Sequence, residues 1–341
     1  MLLFAEGFDD FAVVADVAMT AAFLQNTANI SLVTGRTGSG KALKLVSGAF
    51  LNPPTVALYN FLASSPVIVG CAMTTDFPSS TLYAEISFLN GATSLFRVRN
   101  QAPGILKFYD SANALVGTAA FSHFASYIEV KLTPGSPGTA IVLVDGIQVV
   151  NLTGTFGSGS CNGISFSSER LSSGGGLTAI VLFDDLYVCD TTGAQNNNFL
   201  GDARITSAAP ASDGANTGWT PNSGSAHFSR VNGALDYDTS YMNAGSAPLS
   251  DTYLYPALPA AQGVIAALQV RAYAKTDSGG VDKLQAIARL SGTDYLAPGG
   301  DQFVHGVYSG LDYIFELNPA TGLPWTVAEI DAGEFGQKRT V

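Results

Sequence analysis

Four stretches of this chain carry residue types that do chemistry in other settings. Gly35-Arg-Thr-Gly-Ser-Gly40-Lys41 has the glycines and lysine of a phosphate-binding loop. That chemistry also needs a hydroxyl directly after the lysine for Mg²⁺, and a helix whose N-terminus faces the phosphate. Position 42 is Ala, and Lys41-Ala-Leu-Lys-Leu-Val46 alternates as a strand does. The stretch therefore reads as a glycine-rich turn between strands 30–34 and 42–46. Glu329 and Glu334 offer the two carboxyl groups that glycoside hydrolysis uses when they stand about 5 Å apart. A short helix accounts for the same residues: Thr326 and Glu329 have capping-box spacing, and Val327 and Ile330 share a helical face. Gly336 would end that helix, and Lys338 and Arg339 would suit its C-terminal dipole. Asp9-Asp10 and Asp184-Asp185 could supply oxygen ligands to Ca²⁺, but without EF-hand spacing they read as solvated strand ends, so no metal is expected. Trp219, Tyr237 and Tyr241 are candidate exposed aromatics for stacking a sugar or contacting another protein.

The remaining inventory is thin. His123, His227 and His305 have no second His or Cys at ligand spacing, and no G-x-S-x-G nucleophile elbow exists. No catalytic residue and no cofactor follow from these motifs. Cys71, Cys161 and Cys189 are odd in number and match no metal pattern, which points to small buried thiols.

These residues must be positioned by strands. Segments 81–89, 127–132, 140–150 and 177–188 are rich in Val, Ile, Phe, Tyr and Thr, and Gly, Asn, Pro and Ser separate them at short intervals. That is the pattern of an all-β sandwich or barrel. Asp145-Gly146, between Ile-Val-Leu-Val and Ile-Gln-Val-Val, has the composition of a type I′ hairpin turn. Residues 264–274 and 284–290 alternate on either side of Thr276-Asp-Ser-Gly-Gly280 and read as a second hairpin. Gly7-Phe-Asp-Asp-Phe11 is echoed by Leu182-Phe-Asp-Asp-Leu186, which suggests that the first and last strands of one domain lie side by side. The polar run from Asp190 to Asn198 marks a junction, giving domains 1–192 and 193–341.

Composition narrows the function. The 341 residues include 16 Lys+Arg against 27 Asp+Glu, a net charge of −11, with only 13% charged and 47% hydrophobic. Disorder would need more charge, and a nucleic-acid partner would need a basic stripe, so neither is expected. No apolar run is long enough to span a bilayer as a helix, and the N-terminus lacks a basic signal-peptide region, so no membrane partner is expected.

A resemblance extends this reading. Phe183-Asp-Asp-Leu-Tyr-Val-Cys-Asp-Thr-Thr-Gly193, Asn198-Phe-Leu-Gly-Asp-Ala-Arg204 and Asp213-Gly-Ala-Asn-Thr-Gly-Trp-Thr-Pro221 resemble a family of tailed-bacteriophage virion proteins. Gly35–Leu45, Tyr127-Ile-Glu-Val-Lys131, Ser291-Gly-Thr-Asp-Tyr295 and Asn318-Pro-Ala-Thr-Gly322 with Trp325 fit the same family. The resemblance implies a concanavalin A/laminin G-like jelly-roll sandwich followed by a second β-rich sandwich domain. It also implies a non-enzymatic structural component of the phage head or tail, located in the virion and binding neighbouring subunits as a homo-oligomer. The alternative is a glycan-binding or host-recognition module of the virion; a glycoside hydrolase built on Glu329 and Glu334 is the third reading.

Overall fold

The computed structural model describes residues 1–18, 21–47, 55–76, 82–101, 104–120, 126–170, 178–233, 235–258, 263–277 and 281–341. Thr81, His123, Leu177 and residues 278–280 lie outside the described residues. The chain forms two compact units, residues 1–206 and 207–341.

The first unit contains β1 (Leu2–Glu6), α1 (Val14–Val17), β2 (Ala21–Gln25), β3 (Ile30–Thr34), β4 (Lys41–Val46), β5 (Thr55–Ser64) and β6 (Val67–Asp76). It continues through β7 (Leu82–Asn90), β8 (Thr93–Gln101), β9 (Ile105–Tyr109), β10 (Leu115–Ala120) and β11 (Ser126–Thr133). It ends with β12 (Gly138–Val144), β13 (Ile147–Gly154), β14 (Cys161–Arg170) and β15 (Ile180–Asp190). A front sheet has the order β13-β12-β11-β6-β15-β4-β3, with β1 also on β15; a back sheet has the order β10-β9-β8-β7-β14-β5-β2. This is the all-β sandwich that the alternation implies.

Its core follows from the period of two. Phe96 and Val98 of β8 point inward, while Arg97 and Arg99 between them point out. Phe166 of β14 and Phe183 of β15 meet between the sheets at 4.3 Å, and Tyr59 packs edge-on against Phe166 at 6.0 Å. A second aromatic group, Phe88, Phe96, Phe108 and Phe156, fills the far end. Each such ring buries enough apolar surface to contribute about 1.5–3 kcal/mol.

Several local expectations hold. Val144 pairs with Ile147 across the two-residue turn, where Asp145 (φ 51°) and Gly146 (φ 76°) take the left-handed conformation of a type I′ turn. The glycine-rich 35–40 segment joins β3 to β4 as a hairpin. β1 pairs antiparallel with β15, so the first and last strands of the unit do lie side by side.

Other expectations need correction. The pair Asp184-Asp185 is not a solvated strand end: it lies buried within β15 at a β-bulge, where Asp185 has φ 51° and the register against β6 shifts. A bulge re-aims a side chain, and here it turns Asp185 onto the Arg36 guanidinium at 2.6 Å. The division between the units also falls fourteen residues after the composition shift. Residues 200–205 follow the polar run yet are fastened to the front sheet. Leu200 N–H donates to the Tyr187 hydroxyl, Gly201 N–H to Glu129 Oε1, and Ile205 N–H to Asp185 Oδ1.

The second unit contains β16 (Ser212–Thr217), β17 (Thr220–Pro221), β18 (Met242–Asn243), β19 (Leu249–Leu254) and β20 (Leu268–Ala274). It continues with β21 (Asp282–Leu290), β22 (Thr293–Leu296), β23 (Gln302–Val304), β24 (Ser309–Phe315), α2 (Val327–Asp331) and β25 (Glu334–Arg339). A sheet of order β16-β19-β25-β21-β22, with β23 on β21, packs with the β20-β24 ribbon around one core that includes Trp325 and Phe335. The expected hairpin of 264–274 with 284–290 does not form. β20 pairs with β24, and β21 with β25, β22 and β23. Both strands turn an apolar side to the same core from different layers, and alternation specifies the buried face without specifying the partner. Helix α2 is shorter than expected. Gly336, Lys338 and Arg339 belong to β25, where a side chain at Gly336 would collide with the Asp251 carbonyl oxygen at 2.0 Å.

Candidate functional site

The outer face of the back sheet gathers the densest set of chemically useful side chains in the first unit. Four antiparallel strands bring them together by register. Ser167, Glu85, Arg99 and Lys107 form one row across β14, β7, β8 and β9. Ser87, Arg97 and Tyr109 form the row on one side, and Glu169 and Tyr83 stand on the other. Along β7 and β8 the core-facing Ala84, Ile86 and Val98 alternate with Glu85, Ser87, Arg97 and Arg99, so the alternation that builds the sandwich also places this cluster, whose Tyr83, Glu85, Ser87 and Ser167 are themselves buried.

At its centre is the Glu85–Arg99 pair. Glu85 Oε2 accepts from Arg99 Nε at 2.8 Å and from Nη2 at 2.6 Å, a two-pronged contact that fixes the guanidinium plane. Oε1 accepts from Ser87 Oγ at 2.7 Å, and Arg97 Nε stands 3.6 Å away. The Arg99 guanidinium lies 4.0 Å from the Tyr83 ring centroid and 4.6 Å from that of Tyr109, so two aromatic rings flank it. Tyr83 in turn donates its hydroxyl hydrogen to Glu169. Burial raises the Glu169 carboxyl above the usual carboxylate range, and the Glu85 charge adds to the effect; the Tyr83 hydrogen bond and Arg99 oppose it. Burial also raises the Tyr83 phenol, and its bond to Glu169 adds to that.

Glu85 and Glu169 are diagonal neighbours on adjoining strands, which sets their Cβ atoms about 7 Å apart. One carboxyl group is clamped by guanidinium and hydroxyl donors, while the other is held toward its protonated form. Such a division suits one stabilising group and one proton donor. Tyr109, Arg97 and Lys107 remain partly exposed beside them.

The front sheet carries a second polar cluster with similar ingredients. Arg36 pairs with Asp185, lies 4.9 Å from the Tyr127 ring centroid, and donates from Nη2 to the Ala203 carbonyl at 2.6 Å. Tyr187 donates to Glu129 at 2.5 Å. A cavity of about 210 Å³ opens beside this cluster, with Thr34, Arg36, Thr74 and Asp184 in its wall. The Asp184 carboxyl is pushed up to about 6 by burial; its hydrogen bond from the Arg36 backbone opposes that shift. The 200–205 segment covers this cluster through Ala203, Leu200, Gly201 and Ile205, so its groups serve the fold.

The residues singled out from the sequence lie elsewhere. Glu329 caps α2, accepting from Thr326 N–H and Oγ at 2.9 Å, and those contacts lower its pKa, the opposite of what a proton donor needs. Glu334, on β25, accepts from Ala215 N–H and Thr252 Oγ, both at 2.7 Å. The two glutamates therefore do not form a catalytic pair. Trp219 is not an exposed platform: it is half-buried against the core of the second unit, and its indole donates to the Leu249 carbonyl at 3.1 Å. Tyr237 and Tyr241 are exposed; Tyr237 meets Tyr308 edge-on at 5.4 Å. His227 pairs with the buried Asp251 at 2.9 Å. Among the described residues no three His, Cys, Asp or Glu side chains converge as a metal site would require.

The sequence reading passed over Glu85, Arg97, Arg99, Tyr83, Tyr109, Lys107 and Glu169. A signal was present in the alternation Arg97-Val-Arg99, which faces Glu85-Ile-Ser87, but the register that joins the two segments becomes explicit only in the fold.

No family model matches this sequence, and no curated protein matches it. Among solved structures, the chain is similar to a sialidase with a TM-score of 0.44 and 14% identity, over 56% of this chain and 18% of that one. It is similar to an endo-β-1,4-glucuronan lyase from Trichoderma reesei, with a TM-score of 0.40 and 13% identity over 54% and 94% of the two chains. It is also similar to a GH131 β-glucanase catalytic domain from Podospora anserina, with a TM-score of 0.40 and 12% identity over 56% and 96%. The chain thus spans less than a fifth of the sialidase, and the likeness is one of fold. All three names are those of glycan-acting enzymes, which stands against the expectation of a non-enzymatic chain, while the likeness itself is of fold alone.

Proposed function

We propose that the first unit holds a glycan chain against the outer face of the back sheet, with Glu169 and Tyr83 as its proton-transfer pair. The observation that carries this reading is Arg99, fixed by Glu85 and flanked by Tyr83 and Tyr109, with a second carboxyl on the adjoining strand. Sugar rings present apolar C–H faces and hydroxyl edges. Tyr109 offers a ring for the face, and Arg97, Ser165 and Asn60 offer polar atoms for the edges. The test is retardation of the protein in gels cast with a panel of acidic and neutral polysaccharides, together with a reducing-end assay. Tyr109→Ala should lose retardation roughly tenfold, about 1.4 kcal/mol of binding, with thermal unfolding unchanged. Equal retardation of parent and variant by every polymer would count against the reading.

A tailed-phage particle is the setting we propose for this activity, on the sequence resemblance given above. One observation favours a separate assembly role for the second unit: Val264, Val281, Phe303 and Val307 expose more than half of their surface. Such residues suit contact with neighbouring subunits. Light scattering that finds only a 35.3 kDa monomer at micromolar concentration would remove self-association.

A further inference from the structure

Taking the glycan reading as its premise, the geometry points to a substrate class: we infer that the back sheet selects polysaccharides bearing carboxylates, as uronic acid chains do. The argument rests on how cations are placed in an acidic protein. The chain has only 16 Lys and Arg and a net charge of −11, yet Arg97, Arg99 and Lys107 sit on two adjoining strands of one face. Arg99 and Lys107 are directly opposite each other in the ladder, an arrangement that repels and costs stability. Glu85 answers Arg99 and stands near Arg97. Lys107 has no carboxylate partner among the described residues, and its cross-strand neighbour on β10 is Thr118. A like-charged pair with one member unanswered is a poor way to stabilise a sheet. It is a suitable way to meet an anion that arrives from outside.

The surroundings set the anion's chemistry. Tyr109 lies beside Arg97 in the register, and its ring flanks Arg99, so a ring stacked on it would carry its substituents toward Arg97 and Lys107. A carboxylate attached to a sugar ring satisfies both demands, the flat face and the charge. Nucleic acid satisfies them less well, because the cations cover two strands rather than a stripe, and the rest of the chain repels a polyphosphate.

The test uses the full chain and matched polymers: alginate, polygalacturonate and hyaluronate, each beside its carboxyl-reduced neutral form, with an oligodeoxynucleotide as a further anion. The expected result is binding to at least one acidic polymer, at least tenfold tighter than to its reduced form, and weakened by salt. Lys107→Gln should lower that affinity about fivefold, with the thermal unfolding midpoint equal to or slightly above the parent's because the like-charged pair is relieved. Equal binding to acidic and reduced forms would overturn the acidic class and leave the glycan reading standing. Tighter binding to the oligodeoxynucleotide would also overturn it. Binding to none of the polymers, with Tyr109→Ala indistinguishable from the parent, would overturn the glycan reading and this inference together.

Discussion

The two outer faces of the first unit are built from the same kinds of group, and the chain treats them differently. The front face places Arg36 against Tyr127 and Asp185, and Tyr187 against Glu129; the back face places Arg99 against Tyr83, Tyr109 and Glu85. On the front face, backbone N–H groups of Gly201 and Ile205 donate to Glu129 Oε1 and Asp185 Oδ1, so the cluster is covered by its own chain, although Glu129 Oε2 has no hydrogen-bond partner among the described residues. On the back face the carboxylates are completed by side chains of their own sheet, and among the described residues no such backbone donor reaches them. An arginine between aromatic rings is therefore no sign of function by itself. What distinguishes the two faces is whether the chain has already supplied the partner.

That contrast can be broken most forcefully at its two arginines. Arg36→Met should cost about 3 kcal/mol, because Asp185 would be left as a buried charge without its guanidinium partner. Arg99→Met should cost a similar amount, about 2–3 kcal/mol, since Glu85 is as buried as Asp185 and would keep only Arg97 at 3.6 Å, and it should also abolish glycan retardation. Denaturation midpoints and affinity gels read the two effects separately. If Arg36→Met also lost retardation, the assignment of roles to the two faces would fail. Gly70→Ala comes next. The Tyr187 ring lies against Gly70, and a Cβ there would come within 2.1 Å of it. Overpacking of this kind costs about 1–3 kcal/mol, and it should expose residues 200–205 to faster amide exchange.

A pH titration gives a smaller effect with a definite sign. The Asp184 pKa is raised to about 6 by burial, so the folded state holds its proton more tightly than the unfolded chain does. Stability from this group is fully present below pH 4 and is lost as pH rises through 6. The change is on the order of 1 kcal/mol after solvent screening. Asp184→Asn should flatten that slope, and an unaltered slope would assign it to another group. Glu329→Gln should do least: a slight fall in the unfolding midpoint from the weakened capping box, with no change in glycan handling.

How legible the sequence was depended on the range of the interaction. Asp145-Gly146, the 35–40 turn and the Thr326–Glu329 cap were readable because each is decided within a few residues. The β1–β15 pairing was readable only through an echo of β15 at Gly7–Phe11, which lies in the turn directly after β1. The partner of β20 was not readable, since an amphipathic strand fits any partner that covers its apolar side. The back-face cluster was missed for a related reason. Glu85 meets Arg99 across a hairpin, but Glu169 joins them from a strand more than sixty residues further on. Asp184-Asp185 misled because a charged pair usually lies outside, whereas here a bulge and Arg36 make its burial tolerable.

The pairing of β1 with β15 also bears on the order of events during synthesis. β1 emerges first, but its hydrogen-bonding edge is on a strand that is translated nearly 180 residues later. Until then the leading segment, with its buried Leu2 and Phe4, lacks its sheet partner and can lean only on β5, where Tyr59 meets Phe4 at 5.8 Å. Sheet closure must wait for that late strand, and such non-local closure is slow. A pulse-labelled nascent chain should therefore keep its leading segment protease-sensitive until β15 has cleared the ribosome, then become resistant in one step.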